Sequence, residues 1–131
     1  MRFVDTSFWY ALADRSDRRH SQAHQLRTAE SARLVTSNHV LGETWTLVGR
    51  RLGHRTAIEV VDAIFAVASL EVMSVDATVE ADAWRWLRRH DERAYSFVDA
   101  TSFALMRVRR VREALAFDGD FNAAGFVEVR P

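Results

Sequence analysis

Short apolar segments alternate with longer amphipathic segments along this chain, and this alternation restricts the fold more than any other feature. The predicted strands are RFVD (2–5), RLVTS (33–37), EVMSV (71–75), EALAF (113–117) and an edge strand, GFVEV (125–129). The first predicted helix runs through Ala13 and can be capped by Thr6 and Ser7. The other predicted helices cover 17–30, 38–52, 55–69, 77–90 and 96–110. Strands that alternate with helices favour a parallel sheet covered on both faces. The sequence therefore predicts an α/β fold.

The length and composition are typical of one globular domain. A chain of 131 residues predicts a single domain spanning 1–131, and 48% hydrophobic residues suffice for a full core. The chain has no cysteine, which excludes disulfides and thiolate zinc sites. No apolar run has the length of a membrane span, and Asp5 interrupts the N-terminus too early for a signal peptide. We therefore expect a soluble, cytoplasmic protein without a membrane partner.

The basic residues exclude several function classes. All 18 basic residues are arginines, and they balance 18 acidic residues to a formal net charge of zero. Phosphate-binding P-loops, Schiff-base enzymes and receiver domains each use a lysine, so all three are disfavoured. The chain also lacks the excess of positive charge that is typical of nucleic-acid binders. Any contact with RNA or DNA must therefore use local patches of arginine.

Two aspartates lie where predicted strands end. Asp5 ends the first strand, and Asp118 follows the fourth. Ligand sites of open α/β sheets form outside the carboxyl ends of the strands, so both side chains are expected at one edge of the sheet. Aspartate is also common in turns and at helix N-caps. Both interpretations stay open on the residues alone.

Asp99 and Glu43 lie within predicted helices. Asp99 shares a stripe with Phe103 and Met106 on a largely apolar helix, so its carboxylate must be compensated there. Ser96 and Asp99 also have the spacing of a capping box. The helix 38–52 has an apolar seam predicted at Leu41, Trp45, Val48 and Leu52. Glu43 lies nearly opposite this seam, where an ordinary solvated glutamate is the default.

Three further groups have a functional and an ordinary interpretation. His20 and His24 are spaced to share a metal, but the chain offers no clear third ligand, so a solvated helix face is favoured. Trp84 and Trp86 could stack on bases, although core packing or a partner interface is favoured. The third group consists of arginines, which could contact phosphates or simply lie at solvated helix ends, and the two interpretations are equally favoured. These arginines are Arg85, Arg88, Arg89 and those of RRVR (109–112).

The order of these acids resembles that of PIN domains. The matching motifs are FVDTS with Asp5, NHVLGETW with Glu43, SFVDATSFALM with Asp99, and AFDGDF with Asp118. More narrowly, the chain resembles the toxins of VapBC-type toxin–antitoxin pairs over essentially its whole length. Ala116 departs from the family pattern, because many relatives have Ser or Thr there.

The resemblance implies a fold, an activity and a site. The fold is a three-layer α/β/α sandwich with a mainly parallel sheet of four to five strands. The activity is Mg²⁺- or Mn²⁺-dependent hydrolysis of RNA by an endoribonuclease toxin. The implied catalytic acids are Asp5, Glu43, Asp99 and Asp118, and the metal ligands among them are Asp5, Asp99 and Asp118. Supporting roles near the metal are implied for Thr6, Ser7 and Asp120. RNA-binding residues are not identified by the motifs.

The resemblance also implies partners. These are RNA, a cognate VapB-type antitoxin, and a second copy of the chain in a homodimer or in a hetero-oligomer with antitoxin. Phe8, Trp9 and Trp45 are candidate docking residues on the N-terminal helices. Two alternatives are a housekeeping RNA-processing PIN nuclease and a non-enzymatic interaction domain whose carboxylates only cap helices.

Overall fold

A computed structural model describes residues 1–131, and it confirms the predicted alternation of strands and helices. The strands are β1 (Arg2–Val4), β2 (Leu34–Ser37), β3 (Leu70–Met73), β4 (Glu113–Leu115) and β5 (Val127–Glu128). The helices are α1 (Thr6–Ala13), α2 (His20–Ala29), α3 (Asn38–Leu52), α4 (His54–Phe65), α5 (Ala77–Arg89), α6 (Phe97–Arg109) and α7 (Asp120–Ala123). No helix is both long and apolar enough to span a bilayer.

The five strands form one parallel sheet in the order β3-β2-β1-β4-β5. The strand order reverses between β1 and β4, since the chain adds β2 and β3 on one side of β1 and returns to add β4 and β5 on the other. Right-handed crossovers then place α1–α4 on one face and α5–α6 on the other. The predicted α/β/α architecture is confirmed, with β5 at the sheet edge. The carboxyl ends of β1 and β4 form the crevice where such sheets bind ligands.

Four phenylalanines pack the centre of the core and anchor the segment after β4. The side chains of Phe3, Phe8, Phe103 and Phe121 are fully buried. Phe121, the second residue of α7, lies edge-on to Phe103 with 5.0 Å between ring centroids, and 6.2 Å from Phe3. Burying a phenylalanine contributes about 2 kcal/mol. The Phe121 anchor therefore holds the acidic turn between β4 and α7 against the sheet.

Helix α2 begins at His20, three residues later than predicted. The side chain of Asp14 accepts hydrogen bonds from the Ser16 N–H (2.9 Å) and hydroxyl (2.7 Å), and Asp17 accepts one from the Arg19 N–H (2.8 Å). These local bonds offer the backbone an alternative to the helix, so 14–19 forms turns. The short helix α7 was not predicted, because Asp, Gly and Asp are typical of turns.

The predicted docking residues are only partly at the surface. Phe8 (0% exposed) belongs to the core, so its prediction as a docking residue is wrong. Trp9 (3% exposed) is also buried, but it forms part of the wall of an apolar cavity at the surface. Helix α3 buries a face formed by Val40, Leu41, Thr44 and Val48. The predicted seam was therefore rotated, and Trp45 is 40% exposed.

Candidate active site

The carboxyl ends of β1 and β4 are joined directly, and this juxtaposes two of the predicted acids. The N–H of Asp5 donates to the carbonyl of Leu115 at the end of β4 (3.1 Å). The hydroxyl of Ser7 donates to Asp5 Oδ2 (2.7 Å) and accepts from the N–H of Phe117 (3.1 Å), which precedes Asp118. Ser7 thus connects the ends of the two strands, as expected for a residue that positions the site.

All seven predicted site residues line one cavity of about 300 Å³ at this edge. They are Asp5, Thr6, Ser7, Glu43, Asp99, Asp118 and Asp120, and the remaining lining residues are Leu47, Ala94 and Ser96. One carboxylate oxygen from each of Asp99, Asp118 and Asp120 lies within 4.8 Å of the others. This cluster includes Asp120, for which only a supporting role was predicted, and does not include Asp5, which was predicted to bind the metal. Which of these acids would bind an ion directly remains a prediction.

Asp5 is both the N-cap of α1 and a wall of the cavity. Its Oδ2 accepts from the Ser7 N–H (3.1 Å) and hydroxyl, so the capping interpretation is confirmed and Thr6 is the first helical residue. The residue is 2% exposed. Burial, reinforced by the nearby charge of Asp118, raises the pKa of Asp5 to about 8 despite the bonds from Ser7. This carboxyl therefore favours a proton unless a positive charge lies close to it.

Asp99 also has two roles. The predicted capping box of α6 is present, since Ser96 Oγ accepts from the Asp99 N–H (2.9 Å) and Asp99 Oδ2 accepts from the Ser96 N–H (3.1 Å). The other carboxylate oxygen accepts no hydrogen bond. Burial raises the pKa of Asp99 to about 7, and the charge of Asp118 acts in the same direction against the bond from Ser96. Capping and the acidic site are therefore compatible uses of one side chain.

The turn after β4 presents Asp118 and Asp120. Gly119 between them has φ +83°, a left-handed conformation that glycine adopts without strain. Asp118 is an exposed residue. Partial desolvation and the charge of Asp120 nevertheless raise the pKa of its carboxyl. Asp120 is paired with Arg93, whose Nε lies 2.9 Å from Oδ1, and Arg93 Nη2 also donates to the carbonyl of Asp118 (3.2 Å).

Glu128 holds this turn in place through hydrogen bonds to its backbone, and it was not predicted as a site residue. Its fully buried carboxylate accepts from the N–H groups of Gly119 (3.3 Å), Phe121 (3.1 Å) and Asn122 (3.3 Å) and pairs with Arg130 (2.9 Å). A signal was present in GFVEV, because strand alternation puts Glu128 on the same face as Phe126. Arg93 was also missed, since the polar segment HDERAY has no periodicity that reveals its direction.

The oxygen atoms around the cavity fit a hard divalent cation. Thr6 Oγ1 is buried at the cavity wall without any hydrogen-bond partner. Glu43 projects from α3 into the same cavity, is half-buried and makes no hydrogen bond. A group of carboxylates that has Arg93 as its one paired cation, together with a free hydroxyl, is the donor set that Mg²⁺ and Mn²⁺ prefer. The residues therefore fit such an ion.

The other sequence candidates lie outside this cavity. His20 Nδ1 is within 2.8 Å of the Ala11 carbonyl, which favours a structural role over a metal pair with His24. Arg109 pairs with Glu71 (2.8 Å), and Arg85 pairs with Asp82. Trp86 packs on Phe103 with 5.1 Å between ring centroids, whereas Trp84 is 44% exposed. None of these residues lines the acidic cavity.

Comparison with known proteins gives matches over the whole chain. A family model described as the PIN domain matches residues 2–127. A Mycobacterium tuberculosis protein named 23S rRNA-specific endonuclease VapC20 is 58% identical over 131 residues, which cover 100% of this chain and 99% of that protein.

Solved structures agree with this match. The crystal structure of M. tuberculosis VapC20, described as a sarcin–ricin loop cleaving toxin, superposes with a TM-score of 0.95 at 56% identity and covers 100% of both chains. A toxin–antitoxin complex from Klebsiella pneumoniae gives a TM-score of 0.61 at 15% identity, covering 87% of this chain and 83% of that one. At this identity, the second likeness concerns the fold alone.

Proposed function

The chain belongs to the PIN domain family, and we propose that it is a metal-dependent endoribonuclease that acts as the toxin of a toxin–antitoxin pair. The observation that carries the proposal is the cavity where acids from four separate segments converge, with the pKa values of Asp5 and Asp99 raised to about 8 and about 7. As substrate we propose the sarcin–ricin loop of 23S rRNA, on the strength of the VapC20 relative. Such a substrate implies action in the cytoplasm.

We propose that Asp5, Asp99 and Asp118 hold the ion, with Mg²⁺ or Mn²⁺ as the candidates. When bound, such an ion neutralises charge on the scissile phosphate and lowers the pKa of a bound water. Asp5 and Asp99 are suited to this role because helix-capping bonds to Oδ2 fix each carboxylate at the wall of the cavity and leave the other oxygen without a hydrogen bond. Asp118 is supplied by the turn that Glu128 fixes.

Glu43 is suited to a different role. It makes no hydrogen bond and is the one acid of the cavity that comes from α3. We propose that it orients the attacking water or adds a ligand to the ion. Thr6 Oγ1 supplies an additional hydroxyl at the cavity wall, whereas Ser7 acts by positioning Asp5.

The proposed protein partner is a cognate VapB-type antitoxin. An apolar cavity of about 310 Å³ between α1, α2 and α4 offers it a docking surface, lined in part by Leu12, Val60 and Ile64. A basic antitoxin side chain would complement the acidic cavity. A homodimer or a hetero-oligomer with antitoxin stays a prediction.

The proposal is tested by mapping cleavage sites on ribosomal RNA with Asp99→Asn. Asparagine keeps the shape and the capping ability but removes an ionic ligand, so activity should fall by about a hundredfold or more. Asp76→Asn is the matched control, because Asp76 is also an N-cap aspartate (to the Val79 N–H, 2.9 Å) but lies outside the cavity. Full activity in Asp99→Asn would exclude Asp99 from catalysis.

Two measurements separate the alternatives. The capping bonds of Asp5 and Asp99 would suffice for an interaction domain, and such a domain should give no specific heat of Mn²⁺ binding in calorimetry. A housekeeping nuclease would bind Mn²⁺ yet leave growth unaffected when expressed alone. A toxin should arrest growth, and coexpression of its antitoxin should restore it.

A further inference from the structure

A second cavity, of about 390 Å³, opens beside the acidic one and shares Ser7, Leu47 and Asp118 with it. Its other wall includes Arg18 and Arg19, from the turns before α2, and Arg51, from the end of α3. One further acid, Asp17, and the rings of Tyr10 and Phe117 complete the lining. The arginines therefore lie next to the position that a polymer bound at the acids would occupy. The two cavities form one continuous surface with opposite charge at its two ends.

The three arginines have no paired carboxylate, although Asp17 lines the same cavity. None of them forms a salt bridge, although arginines elsewhere pair with Glu30, Asp120 and other acids. The buried Nε of Arg19 has no hydrogen-bond partner at all. A buried donor without an acceptor is costly, and an acceptor supplied by a ligand would relieve that cost. Three guanidinium groups around one cavity match a phosphate group.

The turns that carry Arg18 and Arg19 are held rigidly. Asp14 accepts from the Tyr10 hydroxyl (2.7 Å) and from Ser16, and Asp17 accepts from the Arg19 N–H. Arg51 lies over the ring of Tyr10, with 5.1 Å from Cζ to the ring centroid. Bonds to Tyr10 and Ser16 keep the pKa of Asp14 below its usual range. The backbone of these turns and the Arg51 side chain are therefore positioned before any ligand binds.

The aromatic walls exclude a base from this cavity. Tyr10 is 6% exposed and Phe117 9% exposed. One face of Phe117 is covered by Phe8 (5.8 Å between centroids), and Arg130 lies over the ring at 4.9 Å. Neither ring offers a free face on which a base could stack. The cavity is thus suited to a phosphate and its ribose.

We propose that the cavity formed by Arg18, Arg19 and Arg51 binds the RNA backbone phosphate adjacent to the scissile one. This inference rests on the proposed nuclease function and adds the residues that hold the substrate. Because the contacts are to the backbone, the cavity strengthens binding without selecting a base sequence.

The test measures RNA binding by Arg18→Gln and Arg51→Gln in the Asp99→Asn background, which preserves the probe. The probes are a fluorescent hairpin with the sarcin–ricin loop sequence and a scrambled hairpin. Each variant should bind both about tenfold more weakly, since one charge-assisted contact is lost. The slope of log K against log salt should also fall by about 0.7 to 0.9. Arg15→Gln and Arg50→Gln are matched controls, because both arginines are exposed and lie outside this cavity.

The outcomes are distinct from those of the proposed function. Absence of RNA cleavage by the wild-type chain would contradict the nuclease proposal itself. If the wild type cleaves RNA but Arg18→Gln and Arg51→Gln bind like the controls, the inference is wrong. It is equally wrong if the variants weaken only the antitoxin complex, or only the binding of one RNA sequence. Arg18 is exposed, so its replacement should leave the melting temperature unchanged and keep the result interpretable.

Discussion

Raising the pH from 5 to 7 in the presence of a chelator should destabilise the protein. Folding buries Asp5 and Asp99 beside Asp118, which raises their pKa values to about 8 and about 7, whereas an unfolded aspartate has a pKa of about 3.9. Between pH 5 and 7 the folded state therefore holds more protons than the unfolded state. The free energy of unfolding falls with rising pH under that condition.

The magnitude follows from the two pKa values. Each carboxyl that is protonated when folded and ionised when unfolded contributes about 1.4 kcal/mol per pH unit. Two such groups over this range give a loss on the order of 4 kcal/mol, because Asp99 is half ionised at the upper end. For a domain of this size, the melting temperature should fall by about 10 °C or more. Carboxyls with lowered pKa, such as Glu30, are ionised in both states above pH 5 and do not offset the loss.

The assay is thermal melting followed by circular dichroism, with chelator or with saturating Mn²⁺. Bound cation should flatten the pH dependence, and it should stabilise the protein more at pH 7 than at pH 5. Asp5→Asn should remove about half of the slope, because asparagine can still accept the Ser7 bonds but cannot ionise. A metal-free melting temperature that stays constant or rises over this range would refute the view that folding forces these carboxyls together.

Three further substitutions test the groups that position the acids. Glu128→Ala should lower the free energy of unfolding by about 3 kcal/mol, measured in urea, because three N–H groups, of which that of Phe121 is buried, and Arg130 lose their acceptor; an unchanged midpoint would contradict this. Arg93→Ala removes a cation from Asp120 and should tighten Mn²⁺ binding several-fold by calorimetry, whereas weaker binding would oppose the reasoning. Ser7→Ala should lower the free energy of unfolding by about 1 to 2 kcal/mol, because Asp5 and the Phe117 N–H each lose a hydrogen bond. It should also lower the rate of RNA cleavage about tenfold at unchanged KM. An effect on KM alone would argue against the positioning role of Ser7.

The fold could be predicted well because the strands and helices differ strongly in length and pattern. Each helix that begins with a side-chain cap, such as α3 at Ser37 and α5 at Asp76, starts within a residue of its predicted position. Helix α2 has no side-chain cap, and its start was missed because Asp14 and Asp17 favour turns over the helix. Local side-chain hydrogen bonds thus fix the start of some helices and delay the start of another.

Some residues of the candidate site could also be predicted from the sequence, and others could not. Asp5, Asp99 and Asp118 lie beside strand ends and a helix start, which the topology brings to one edge, whereas Glu43, within α3, was identified mainly by the family resemblance. The residues that hold them in place were less visible: Arg93 lies in an irregular segment, and Glu128 is buried by contacts with a turn that precedes it in the chain. A contact of this kind depends on how β5 pairs with β4, which hydropathy does not report.

The two interpretations of Asp5 and Asp99 were treated as alternatives in the sequence, but physically they support each other. A carboxylate that caps a helix interacts with free N–H groups and with the positive end of the helix dipole, which reduces the cost of burying its charge. Helices α1 and α6 both begin at the acidic cavity, so each supplies this compensation to one aspartate. The compensation is incomplete, since both pKa values remain raised. A divalent cation would stabilise the negative charge that the helices leave uncompensated. The less the helices stabilise these carboxylates, the more tightly the chain should therefore bind an ion.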